Sequence, residues 1–100
     1  MKGLRYEIKA EVWLYQGAGS WYFVSVPPAI SNEIRELFGS MSRGWGSLPV
    51  NATIGKTVWR TSIFPDKKKG TYILPLKAEI RKKEGIEAGD ELVLALEIMI

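Results

Sequence analysis

A chain of 100 residues holds one domain, and at this length about 65% of the unfolded chain's surface leaves water on folding, enough for one modest core. With 46% hydrophobic and 25% charged residues the composition is ordinary globular, and the absence of cysteine and histidine excludes disulfides, thiolate nucleophiles, zinc–thiolate sites and imidazole acid–base chemistry. The net charge of +3 conceals an uneven distribution: Lys56 to Lys83 carries nine basic and two acidic residues, a net +7, which leaves −4 for the remainder.

Leu4 to Tyr15 reads as a strand with Tyr6, Ile8, Ala10, Val12 and Leu14 on one face and Arg5, Glu7, Lys9 and Glu11 on the other. Trp13 and Tyr15 break the polar side, so both faces are apolar near the strand's end and something is expected to cover the outer one. Gln16 to Ser20 is a loop, and Trp21 to Val26 returns as the second strand of a hairpin. Pro27-Pro28 ends that strand and starts a helix, since the first helical position needs no backbone donor. Ile30, Ile34, Leu37 and Phe38 give that helix one apolar stripe, and Gly39 ends it. Ser40 to Ser47 is a glycine-rich connection holding Trp45.

Leu48 to Ile54 alternates as a third strand, Gly55-Lys56 forms a two-residue hairpin turn, and Thr57 to Phe64 follows as a fourth strand before a loop over Pro65 to Lys69. Thr71 to Leu76 alternates again with Tyr72, Leu74 and Leu76 on one face. Helix formers occupy Lys77 to Glu84, Gly85 supplies the left-handed closing residue, and Ile86 folds back over the helix. Ala88-Gly89-Asp90 turns into the last strand, Glu91 to Ile100, with apolar residues at every even position. No apolar run approaches the roughly 20 residues of a membrane span, and Arg5, Glu7, Lys9 and Glu11 interrupt any signal-peptide core. The expected location is cytoplasmic, with no membrane partner.

A shift of 50 residues without a gap places Leu14 on Phe64, Tyr22 on Tyr72, Val24 on Leu74, Val26 on Leu76 and Ile30 on Ile80. The order strand, loop, strand, helix recurs, which points to two tandem units, about 4–54 and 55–100, within a single domain 1–100. Units this small are expected to share one core. The expected fold is α+β, mainly β: a six-stranded pseudo-twofold barrel with two short helices, whose closure removes most strand edges. Because both units lie in one chain, a monomer or weak dimer is expected.

The segments WYFVSVPP, VWRTSIFP and GTYILPLKAEIRKKEGIEAGDELVLALEI resemble a small family of prokaryotic domains of unknown function, seen alone or beside bacteriocin-protection (YdeI/OmpD-associated) domains. The resemblance covers nearly the whole chain and implies a double-split β-barrel. LPLKAEIRKKEGIEAGDELVL is also similar to the strand, helix, GI-x-x-GD and strand segment of AbrB and MazE type domains, which implies a single-chain counterpart of their dimer. It implies no catalytic residue.

Three functional readings follow. The first is a noncatalytic module that binds an anionic small molecule or a protein partner without a cofactor or metal. Exact superposition by 50 residues turns Arg60 and Ser62 inward, where a guanidinium suits a carboxylate or phosphate with Lys77 or Arg81 nearby and Trp59 beside it. Alternation instead turns Trp59, Thr61 and Ile63 inward and leaves Arg60 outside; a β-bulge would reconcile the two. The second is AbrB-like nucleic-acid binding, with Lys67, Lys68 and Lys69 neutralising phosphates and Trp21, Trp59 or Tyr72 stacking on bases. Its plainer counterpart is a solvated loop of lysines, and a helix whose last turn places Arg81, Lys82 and Lys83 at the negative end of the dipole. The third is an enzyme using Thr61 or Ser62 with Lys77, or carboxylates, although no spacing singles out a catalytic pair.

Overall fold

The structure, a computed structural model, describes residues 4–17 and 19–99; Ala18 of the first loop and Ile100 of the last strand lie outside the described residues. Six strands alternate with two helices: β1 (Arg5–Tyr15), β2 (Trp21–Ser25), α1 (Pro28–Phe38), β3 (Leu48–Ile54), β4 (Thr57–Asp66), β5 (Thr71–Pro75), α2 (Ala78–Glu84) and β6 (Glu91–Ile98). They close into an antiparallel barrel in the order β1-β2-β5-β4-β3-β6. The long strands divide their length between neighbours: Arg5 to Glu11 of β1 pair with β6 and Val12 to Tyr15 with β2. In β4, Thr57 to Ile63 pair with β3 and Phe64 to Asp66 with β5.

The inward side chains follow the period-two pattern. Leu48, Val50, Ala52, Ile63, Leu74, Leu96 and Ile98 are fully enclosed, and α1 adds Ile34 and Phe38. One stripe residue departs from expectation: Leu37 is exposed, and Ser31 is buried in its place. Ser31 tolerates burial because its hydroxyl donates to the Val26 carbonyl and accepts the Tyr72 amide, both at 3.0 Å. Gly55 takes the positive φ of 58° required at the head of the β3–β4 hairpin. Gly85 closes α2 in the left-handed conformation, Ile86 N–H reaches back to the Arg81 carbonyl at 2.8 Å, and the Ile86 side chain is buried.

β4 runs two residues beyond its expected end, through Pro65 to Asp66. Past Ile63 it has a strand neighbour on one side only, where a missing proline donor is tolerated. A short 3₁₀ turn, Gly39–Met41, also extends α1 where a simple stop is expected.

Exchanging β1 with β4, β2 with β5 and β3 with β6 leaves the strand order unchanged. Val26 N–H donates to the Tyr72 carbonyl and Leu76 N–H to the Tyr22 carbonyl, both at 2.8 Å, around the central pair Val24 and Leu74. β4 does not keep the 50-residue shift. Leu14 pairs with Tyr22, but Tyr72 pairs with Pro65 rather than Phe64. The β4–β5 connection, residues 67–70, is one residue shorter than the β1–β2 connection, residues 16–20. That single residue, with no bulge, sets Trp59 and Ile63 inside and Arg60 outside, so alternation describes β4 and superposition by 50 does not.

Tyr6 on β1 donates its hydroxyl to Glu33 of α1 at 2.7 Å. Burial first, then the bond to the carboxylate and its charge, push the phenol from 10.0 up to about 12. The unfolded phenol loses its proton first on raising pH, so the contribution of Tyr6 to stability is whole below pH 10.0 and is lost as pH rises toward about 12. Tyr6→Phe is expected to remove this part of the alkaline loss, measured by circular dichroism across that window.

Candidate functional site

Alternation sends the odd residues of β2 and β5 and the end of β1 away from the core, and in this chain many of them are aromatic. Trp13 and Tyr15 from β1, Trp21 and Phe23 from β2, and Ile73 and Pro75 from β5 share one outer face. Between them and β4 lies an open cleft of about 900 Å³. Trp21 and Tyr15 keep 55% and 50% of their surface exposed, far more than folding requires.

The aromatic floor is ordered by contacts among its own members. Trp13 and Phe23 ring centres lie 5.0 Å apart at 37°, and Trp21 and Phe23 lie 6.4 Å apart with planes within 12°. Trp13 Nε1 donates to Ser25 Oγ at 3.0 Å, which fixes the indole, and Lys69 Nζ stands 4.5 Å from the centre of its ring. The β4 wall supplies Arg60, Ser62 and Phe64, followed by Asp66 and Lys67. Asp66 Oδ1 accepts the Lys68 amide at 3.1 Å.

A second hollow of about 590 Å³ adjoins the first and shares Phe64, Pro65 and Lys67 with it. Its far side is the 43–47 turn, closed by Arg43 N–H to the Ser47 carbonyl at 2.9 Å and Gly46 N–H to the Arg43 carbonyl at 2.7 Å. Gly46 has φ 85°, and a β-carbon there would stand 2.9 Å from Pro65 Cγ, so glycine lets the turn lie against β4. The turn presents Trp45, 90% exposed.

The residues singled out from sequence separate into groups. Arg60, Ser62, Thr61, Lys67 and Trp21 line the cleft, and Lys69 covers one of its rings. Trp59 and Tyr72 are buried inside the barrel and offer no ring to the cleft. Lys77 and Arg81 do not line it. Arg81 instead donates Nε–H to the Leu76 carbonyl at 3.1 Å and lies 3.8 Å over the Tyr22 ring, so its guanidinium is engaged structurally. Lys68 is exposed at the loop tip. Phe23, Phe64, Ile73 and Pro75 were not foreseen as site residues, although apolar residues on the side of each strand opposite the core were the signal for them.

Among the described residues no three carboxylates converge to hold a metal ion, and no helix is long and apolar enough to cross a membrane. A family model described as a domain of unknown function, DUF1905, matches residues 9–96. A search of curated proteins finds no match to the chain.

Proposed function

The chain belongs to the DUF1905 family of domains of unknown function, and from the form of its outer cleft we propose that it is a noncatalytic binding module for a ligand with a flat apolar body and an anionic group. One observation carries this reading: an aromatic floor of exposed Trp21 and half-buried Trp13 and Phe23 faces a β4 wall bearing Arg60 and Ser62. The rings supply stacking area, the guanidinium supplies a two-pronged donor for carboxylate or phosphate, and the Ser62 hydroxyl adds a neutral donor or acceptor. Catalysis has less support, since Thr61 and Ser62 reach the cleft without Lys77 beside them. The matched bonds around Val24 and Leu74, with the exchangeable strand order, support a chain of two tandem units, about 4–54 and 55–100, sharing one core.

The test is titration of indole fluorescence with a panel of aromatic carboxylates and phosphates. At least one is expected to quench saturably, and Arg60→Ala to weaken it about 10- to 100-fold, the loss of a charge-assisted hydrogen bond. Lys77→Ala is expected to leave the affinity unchanged. Affinity unaffected by Arg60→Ala, or no quenching by any member of the panel, would defeat the proposal.

A further inference from the structure

Resting on that reading of the cleft, we infer that its occupant is a single-stranded nucleic acid, which runs from the Trp21–Phe23 face across Phe64 and Lys67 to Trp45. The first ground is continuity. The two hollows, about 900 and 590 Å³, share Phe64, Pro65 and Lys67. Each alone is the size of a pocket for one small ligand, roughly 300–1,000 Å³, so a single compact molecule leaves one of them unused. A polymer of flat units fills both.

The second ground is the spacing of chemistry along the track. Parallel rings stand at one end, Trp21 and Phe23, and an almost fully exposed indole at the other, Trp45. Every base offers a face to such rings whatever its identity, whereas paired bases hide theirs, so the site favours unpaired strands over duplex. Between and beside the rings lie Arg60, Lys67 and Lys69, with Arg43 in the Trp45 turn. These cations match a chain that places one phosphate between successive bases. Asp66 is the opposing charge on this surface, and it is occupied by the Lys68 amide. The same arrangement is less suited to an acidic peptide, whose carboxylates answer the lysines but whose side chains seldom supply a regular series of flat faces.

The experiment compares fluorescence anisotropy of a labelled oligothymidylate or oligouridylate of about ten nucleotides, a length within the usual footprint of small barrel domains, with competition by a mononucleotide, a hairpin duplex and polyglutamate. The oligonucleotide is expected to bind at least about tenfold more tightly than the mononucleotide. Trp45→Ala is expected to weaken the oligonucleotide about 5- to 150-fold and leave the mononucleotide unchanged. The logarithm of affinity should fall with the logarithm of salt with a slope of about −2, as for three phosphates on a single strand. Trp45 is exposed, so circular dichroism of the variant should match the parent and exclude misfolding. Equal affinity for mononucleotide and oligonucleotide, or no effect of Trp45→Ala, overturns the inference but leaves the proposed binding of a small anion intact. Duplex or polyglutamate binding as tight as the oligonucleotide also overturns it. Failure of nucleotides and of every other anion overturns both.

Discussion

Replacing Trp59 by alanine is expected to lower the free energy of unfolding by about 3–5 kcal/mol, and replacing it by phenylalanine to cost much less. Trp59 is 9% exposed, projects from β4 into the barrel, and stands opposite Ala52, so its ring fills space that its small strand partner leaves. Alanine removes that volume from a wall of paired strands, which has little freedom to collapse. The indole also carries a cost: among the described residues Trp59 Nε1 has no hydrogen-bond partner, a burden of about 1–3 kcal/mol for a buried donor. Phenylalanine keeps most of the volume and sheds the donor, so the two effects offset. Urea unfolding followed by circular dichroism separates the outcomes. Equal losses in the two variants would show that the N–H group stabilises the barrel rather than burdening it.

Leu74→Ala carries the second large effect, about 2–5 kcal/mol. Leu74 has no exposed surface and pairs with Val24 at the contact between β2 and β5, where the two matched backbone bonds cross. At about 4–8 °C for each kcal/mol in a domain of this size, the midpoint of thermal unfolding should fall by about 8–40 °C. Lys68→Ala, at an exposed loop tip, should change stability by less than about 0.5 kcal/mol. Similar losses at Lys68 and Leu74 would mean that the inner and outer faces of these strands are exchanged.

The barrel was legible because its strands have one apolar face each, and a period of two leaves little choice about which side turns inward. Leu48 to Ile54 and Tyr72 to Leu76 follow that logic residue by residue. Ser31 was not legible, since its burial depends on Val26 and Tyr72, the latter brought to it from 41 residues away. The orientation of Arg60 was left open by two rules that disagree, and one residue fewer in the β4–β5 loop decides between them. Trp13 and Tyr15 signalled an apolar outer face, and Arg60, Ser62 and Trp21 were legible as candidates without being legible as parts of one cleft. Phe23, Phe64, Ile73 and Pro75 come together through the pairing of β2 with β5, strands that are not neighbours in sequence, and pattern within a strand does not say which outer faces adjoin. Lys77 and Arg81 follow β5 closely along the chain, yet Arg81 turns to the Leu76 carbonyl and the Tyr22 ring rather than to the cleft.

The seam between β1 and β6 joins Arg5 to Glu97 and runs through seven residue pairs. The first strand synthesised therefore waits for the last, and at about 5–20 residues per second that interval is on the order of ten seconds. During it, Arg5 to Glu11 have no partner for their backbone groups. The charged residues along that stretch, Arg5, Glu7, Lys9 and Glu11, keep the waiting strand hydrated and poorly suited to pairing with another nascent chain, so the face that looks merely solvated in the finished barrel guards the interval before it closes.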